Sequence, residues 1–308
     1  MATLKGQNFR ICILDTTLTN PKYKVIGMAT NCTVTLTNNT DDASHKDVVG
    51  AAAMPTTISK AWQVSCDSLN VADTAAMLTA IKSMQPMTLL WDETATSNNQ
   101  TLQKATFARK GSAYLNDVTF NFNDRENATK SLQFTGSGAL SDLAQTDVVE
   151  AIAVGSYTKG QFVRLVLGSD NSATPTKFIA GAKQLSLHVS LTMEDATTKD
   201  TEGDWVIQEP TALSYDISTT ALVRSGESIK SSVSALGQDV TAIETIYTNG
   251  TPVKWIIGNV SGDNQRQNLS AIVSGSCLLT QLILNGPNRA NADYSATLNG
   301  YGDYTVAA

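Results

Sequence analysis

The sequence is poor in the residues that usually carry chemistry. Its 308 residues include four cysteines and two histidines, with aromatic residues at 6% and charged residues at 16%. Cys12, Cys32, Cys66 and Cys277 share no metal-ligand spacing, and His45 and His188 supply too few ligands or partners for a zinc site or a histidine-based triad. A basic excess is missing too. The 22 Lys and Arg against 28 Asp and Glu leave a formal charge of −6, the wrong sign for a protein that grips nucleic-acid phosphates. No apolar run approaches the roughly 20 residues of a membrane helix. Met1 to Leu14 carries Lys5 and Arg10 without an uninterrupted apolar core, so it is read as neither signal nor transit peptide, and the expectation is a soluble protein made in a cytoplasm, without disulfides. No GxGxxG or P-loop opens a helix, and Gly136-Ser137-Gly138 reads as a tight turn. The carboxylate pairs Asp41-Asp42, Asp92-Glu93 and Glu194-Asp195 fall in expected loops, away from any pocket signal. No catalytic, metal or cofactor residue is expected, and no enzymatic activity.

What the sequence does contain is itself, twice. Lys5-Gly6-Gln7 followed by Arg10-Ile11-Cys12-Ile13 returns as Lys159-Gly160-Gln161 followed by Arg164-Leu165-Val166-Leu167, an offset of 154 from Gly6 to Gly160. Pro21 meets Pro175 at that offset, and Lys24 to Asp47 meets Lys177 to Asp200 at 153. The copies end alike at an offset of 164: Gly111-Ser112 with Gly275-Ser276, Asn127-Ala128 with Asn291-Ala292, and Gly136 and Gly138 with Gly300 and Gly302. A repeat of this length sets the architecture. The expectation is a first domain over 1–143, a linker over 144–158 that packs through residues such as Val148 and Val149, and a second domain over 159–308.

Within each copy hydrophobicity mostly alternates. Cys32, Val34 and Leu36 against Thr33, Thr35 and Thr37 form a half-buried strand, as do Leu185, Leu187, Val189 and Leu191 against Ser186, His188 and Ser190. Further alternating runs surround Trp62, Phe120, Phe134 and Tyr294, and each copy opens on an apolar stretch, Phe9 to Leu14 and Phe162 to Leu167. One segment per copy has helical spacing instead: Asp73 to Met84, with Asn70 or Asp73 as N-cap, and Asp239 to Thr248, stopped by Asn249-Gly250. The four cysteines face Val166, Leu185, Thr219 and Ala113 in the other copy, which reads as core filling. The fold class is mainly β: two tandem copies of a β-sandwich or partial barrel, each with one flanking α-helix.

The Lys5-Gly6-Gln7-x-x-Arg10 strand, the alternating strand from Cys32 to Leu36, the long segment from Asn38 to Pro55, the strand carrying Trp62, Val64, Asp67 and Leu69, the helix after it and the Gly-terminated last strands together resemble the major tail tube protein of long-tailed bacteriophages. The resemblance covers nearly all of the first copy and, through the internal repeat, the second. It implies the phage tail tube fold and a virion structural subunit, assembled in the bacterial host cytoplasm, whose stacked rings form a conduit for genome ejection. Most members carry one domain and form hexameric rings; two copies imply trimeric, pseudo-sixfold rings, with hexameric rings of double domains the lesser expectation. The partners implied are the chain itself, tape-measure and tail-completion proteins, and DNA passing through the lumen, with no membrane. If each domain lends four strands, three chains give about 24; at about 4.8 Å spacing and about 40° tilt the barrel is about 45–50 Å across. The bore of roughly 35–40 Å admits a duplex of about 20 Å, and an acidic chain suits a wall that must not retain phosphate.

Residues 38–58 and 191–212 read as loops longer than a hairpin needs. Their charged and apolar residues, Asp41, Asp42, Lys46, Asp47, Val48, Val49 and Met54 in the first copy and Glu194, Asp195, Lys199, Asp200, Trp205 and Ile207 in the second, are expected to make inter-subunit contacts. Two other readings are kept: the inner tube of a contractile injection or secretion machine, and a two-domain carbohydrate-binding or adhesin-like β-protein, against which Trp62, Trp91, Trp205 and Trp255 mostly sit in apolar strand contexts.

Overall fold

The computed structural model describes residues 5–15, 21–47, 53–69, 73–94, 101–149, 157–172, 174–201, 203–223, 237–260 and 269–307. The protein is mainly β. Its first half runs β1 (Phe9–Asp15), β2 (Lys22–Val25), β3 (Ala29–Asp42), β4 (Pro55–Ser68), α1 (Thr74–Ser83), β5 (Met87–Glu93), β6 (Arg109–Asn121) and β7 (Thr129–Gly136). The second runs β8 (Val163–Leu167), β9 (Lys177–Ile179), β10 (Ala182–Asp195), β11 (Gln208–Leu222), β12 (Gly237–Gln238), α2 (Val240–Asn249), β13 (Val253–Val260), β14 (Leu269–Asn285), β15 (Asp293–Gly300) and β16 (Thr305–Val306).

Each half owes its two layers to one long strand that changes partner. The start of β6 pairs with β5 up to Met87↔Ala113, and the rest pairs with β7 from Ala113↔Gly136 onward. The strand β14 does the same, passing from β13 to β15 at Cys277. Both switching strands then carry a register irregularity, Leu115/Asp117 and Leu279/Gln281, the local bend that lets a strand leave one sheet for another. The layers are therefore β2-β1-β5-β6 over β6-β7-β4-β3, and β9-β8-β13-β14 over β14-β15-β11-β10. The ladders correspond residue by residue: Cys32↔Cys66 and Leu36↔Trp62 on β3·β4 answer to Leu185↔Thr219 and Val189↔Tyr215 on β10·β11.

The alternating apolar residues meet between the layers. Trp62, Phe120, Phe134, Trp255, Tyr294 and Tyr304 are among the largest fully buried side chains, and one apolar cluster runs through both halves. Under the Trp62 ring lie Gly111 and Gly136; a Cβ on Gly136 would come 2.1 Å from the indole. In the second half Tyr215 lies over Gly300 in the same way, at 2.6 Å from a built Cβ. Helix α1 starts at the N-cap position Asp73, whose carboxylate pairs with the buried Lys130 ammonium instead of capping, and ends at Met84 in the left-handed region. Helix α2 is capped by Asp239, which accepts from the Ala242 backbone N–H at 3.0 Å, and stops at left-handed Gly250. Asn70, the other cap candidate, lies outside the described residues.

The expected loop lengths change here. The loops are shorter than 38–58 and 191–212, because β3 and β10 continue to Asp42 and Asp195 and pairing resumes at Pro55 and Gln208. Backbone pairing outlasts the apolar alternation: the end of β3 is exposed on both faces yet stays in the ladder, with Asn39 donating to the Ser59 hydroxyl at 2.8 Å. The described start of the connector, 144–149, packs on the first half around a turn at 145–146, with Val148 itself 48% exposed. Val149 bridges Tyr23, and Asp147 pairs with Lys110 at 2.9 Å, over a small cluster of Cys12, Tyr23, Leu90 and Leu102. Residues 150–156 lie outside the described residues.

Candidate functional site

The two halves meet edge to edge. Five antiparallel pairs, Ser186↔Asn121 through Ser190↔Asp117, join β6 to β10 and make one continuous eight-stranded sheet, β3-β4-β7-β6-β10-β11-β15-β14. Strand alternation gives this sheet two unlike faces. The inner face is core. The outer carries hydroxyl and amide side chains: Thr33, Thr35 and Thr37 on β3, Ser131, Gln133 and Thr135 on β7, Ser186 and Ser190 on β10, Ser295, Thr297 and Asn299 on β15. No Lys or Arg occurs in the strand centres 31–37, 63–67, 131–135, 117–121, 186–190, 214–220, 295–299 and 281–285.

One titratable cluster marks the junction. On this polar face His188 of β10 lies between Asp117 of β6 and Asp216 of β11, Nε2 to Asp117 Oδ2 at 2.7 Å and Nδ1 to Asp216 Oδ1 at 2.8 Å. Burial alone would lower the histidine, but the hydrogen bonds and charges of the two carboxylates outweigh it and hold the imidazole above its ordinary value. Sequence reading passed over His188 because its partners come from strands distant in the chain; the alternation that put His188 on the polar face was the available signal. A second unexpected pair is Cys32 and Cys66, opposite one another on β3·β4 with sulfurs 3.0 Å apart. The hydrogen bond between them lowers Cys32 and, with burial, raises Cys66. All four cysteines are free thiols.

The sheet ends in two open edges. Among the described residues β3 pairs only with β4, and beyond Cys277 β14 pairs only with β15. The edges are apolar on the core side: Leu36 is 62% and Leu284 58% exposed. Their counterparts at the β6·β10 junction, Val189 and Phe120, are both 0% exposed.

The expected contact residues fall at the β3–β4 and β10–β11 turns, the first beside an open edge and the second beside the β6·β10 junction. Asp41 and Asp42 close β3, and the Asp42 carboxylate accepts from the Ser44 hydroxyl and backbone and from the Met54 backbone N–H, bonds that hold it below the usual carboxylate range. Lys46, Asp47 and Met54 are exposed, while Val48 and Val49 lie outside the described residues. In the second half Glu194 and Asp195 close β10, and Asp195 is lowered by its bonds from Thr197. Lys199 and Asp200 sit in an exposed turn. Trp205 and Ile207 lie against the chain's own first half: Lys60 donates its backbone N–H to Asp204 at 2.6 Å, Val206 donates to Lys60 at 2.9 Å, and Gly138 donates to Val206 at 2.9 Å. Of these residues Trp205 and Ile207 are thus seated within the chain, while Met54, the counterpart of Ile207, is exposed.

No described helix is long and apolar enough to cross a membrane. No protein-family model matches the chain, and no curated protein matches it. Among solved structures the chain is similar to a chain in the tail of an empty gene transfer agent particle with C6 symmetry, at 15% identity and a TM-score of 0.35, and to one in the virion of a native gene transfer agent particle, at 16% identity and a TM-score of 0.36. In each case the match covers 49% of this chain and 99% of the other, and neither likeness is close enough to assign a fold or a function.

Proposed function

We propose that the protein is the structural subunit of a phage-type tail tube, two copies of one domain (1–143 and 159–308, joined by 144–158) that close with other chains into rings, three chains to a ring. The observation that carries this reading is that the β6·β10 junction has an unused counterpart. By the repeat, β14 corresponds to β6 and β3 to β10, so the two open edges of one chain are the two sides of the seam already made inside it. Carrying the register across sets Leu284 opposite Val34 and Leu282 opposite Leu36 of a neighbouring chain, where Phe120↔Leu187 and Val118↔Val189 stand within the chain. Burying an exposed Leu contributes about 1.5–3 kcal/mol before the cost of association, and pairing removes two edges that would otherwise template aggregation. Three chains joined this way give a barrel of about 24 strands whose bore of roughly 35–40 Å passes a duplex.

The polar face, with no Lys or Arg in its strand centres, would line that bore. Hydroxyls and amides hold no phosphate by charge, and the carboxylates there repel it, so DNA would slide. Stacking of rings into a tube, a tape-measure and tail-completion partner, and a place in the virion follow from the resemblance to tail tube proteins, as does a non-enzymatic role. The test is electron microscopy of the purified protein at rising concentration, beside Leu284→Asp. Stacked rings or tubes from the unaltered protein, and folded monomers from the variant, are expected. Dispersed dumbbells from the unaltered protein would overturn the proposal.

A further inference from the structure

Each half carries a cleft beside its left-handed glycine turn, and among the described residues only one of the two is filled. In the first half the cleft between β4 and Gly138 holds the chain's own Asp204-Trp205-Val206-Ile207 segment, pinned by the Lys60 and Gly138 backbone bonds and by an ion pair from Lys60 to Asp204 at 3.0 Å. In the second half the corresponding cleft, between Leu213 of β11 and Gly302, is an open space of about 620 Å³ reached by Tyr215, Asn299 and Asp303. The turn has the same shape: φ is +81° at Gly138 and +73° at Gly302, and Ser137 and Tyr301 donate equivalent backbone bonds to Ser112 and Ser276.

The segment that would fill it exists in the same conformation. In the second half Ala196 donates to the Ile207 carbonyl at 2.9 Å and Ile207 donates to the Thr197 hydroxyl at 2.9 Å. In the first half Ala43 donates to the Met54 carbonyl at 2.9 Å and Met54 donates to the Ser44 hydroxyl at 3.1 Å. Met54 thus stands where Ile207 stands and Ala53 where Val206 stands. Val206 is buried and Ile207 half-buried, however, whereas Ala53 and Met54 are both exposed.

We infer that Ala53 and Met54 of one chain dock into the Leu213–Gly302 cleft of a second copy. Resting on the ring reading above, the inference names the same neighbour whose β14 edge pairs with β3: the β10–β11 segment reaches back past β6 and β7 to β4, and the β3–β4 segment repeats that step past the neighbour's β14 and β15 to its β11. Ala53 donates its backbone N–H to Leu213 of the neighbour and accepts from Gly302, while the Met54 side chain covers Tyr301. The contact is a clamp over the seam, made by residues that contribute little to the isolated chain.

Two experiments test it. In the first, Met54→Asp should raise the concentration needed for ring formation at least tenfold with unchanged thermal unfolding of the monomer, and Met54→Ile, the residue in the seated copy, should assemble as the unaltered protein does. In the second, chains carrying Ala53→Cys alone are mixed with chains carrying Leu213→Cys alone and oxidised with diamide; an intermolecular disulfide mapped to these positions, absent from the unaltered protein, is expected. Rings that form from Met54→Asp at the unaltered concentration, or assembled mixtures that give no such crosslink, overturn the docking while leaving the ring reading standing. A protein that never forms rings overturns both.

Discussion

At the scale of single residues, His188 is the most consequential side chain because it compensates two carboxylates at the line where the halves join. Its charged form is favoured in the folded state, so the stability it contributes is fully present below the ordinary histidine value of about 6.5 and is lost as pH rises through the raised folded value. The expected outcome is a melting temperature that falls across that window in the native protein and falls less in His188→Gln, measured by thermal denaturation at a series of pH values. Above the window Asp117 and Asp216 face one another with only a neutral imidazole between them. At the seam proposed between chains the corresponding positions are Thr35, Gln281 and Gln63, so the pH response is expected in the fold and not in assembly.

At the scale of elements, the two helices are attached differently although they occupy the same place. Asp239 caps α2 in the ordinary way, worth about 1 kcal/mol. Asp73 stands at the same position on α1, but its carboxylate is the counter-ion of Lys130, whose side chain is 0% exposed in β7. Removing one member of such a pair leaves a buried charge, so Asp73→Ala is expected to destabilise the protein by about 3 kcal/mol or more, while Asp73→Ala with Lys130→Met recovers most of the loss, both read by chemical denaturation. Helical spacing and cap residues were legible at both places. The ion pair was not: alternation puts Lys130 in phase with Leu132 and Phe134 on the core face, but its partner Asp73 lies 57 residues away in the chain, and only the tertiary structure brings the two together.

At the scale of the whole molecule, one chain contains one seam and two open edges, which the proposed ring makes the halves of another. Gly160 and Gly6 give a direct comparison. A Cβ on Gly160 would meet the Asn123 carbonyl oxygen at 2.3 Å and its nitrogen at 2.5 Å, because the start of the second half lies against the β6–β7 turn of the first. At Gly6 nothing lies within 4 Å. The counterpart of Asn123 is Pro287 in the β14–β15 turn, which a neighbouring chain would bring against Gly6. Gly6→Val should therefore leave thermal unfolding unchanged and abolish ring formation in sedimentation, whereas Gly160→Val should destabilise the fold itself; a Gly6→Val protein that assembles normally would refute the seam.

Much of this was determined by the sequence alone. Alternating apolar residues dictate strands with one buried face, the 3.6-residue spacing dictates the helices, and Gly136 recurs as Gly300, a shared position where the structure leaves no room for a side chain, a built Cβ coming 2.1 Å from Trp62 and 2.6 Å from Tyr215. Only the tertiary structure decided which edge meets which. Strand pairing depends on backbone groups that every residue carries, so the sequence holds no mark distinguishing β10, whose edge is covered by β6, from β3, whose edge is open. The same holds for the two loops. Met54 and Ile207 are both apolar and make equivalent backbone hydrogen bonds, and what separates them is that Ile207 meets the chain's own first half whereas Met54 is exposed.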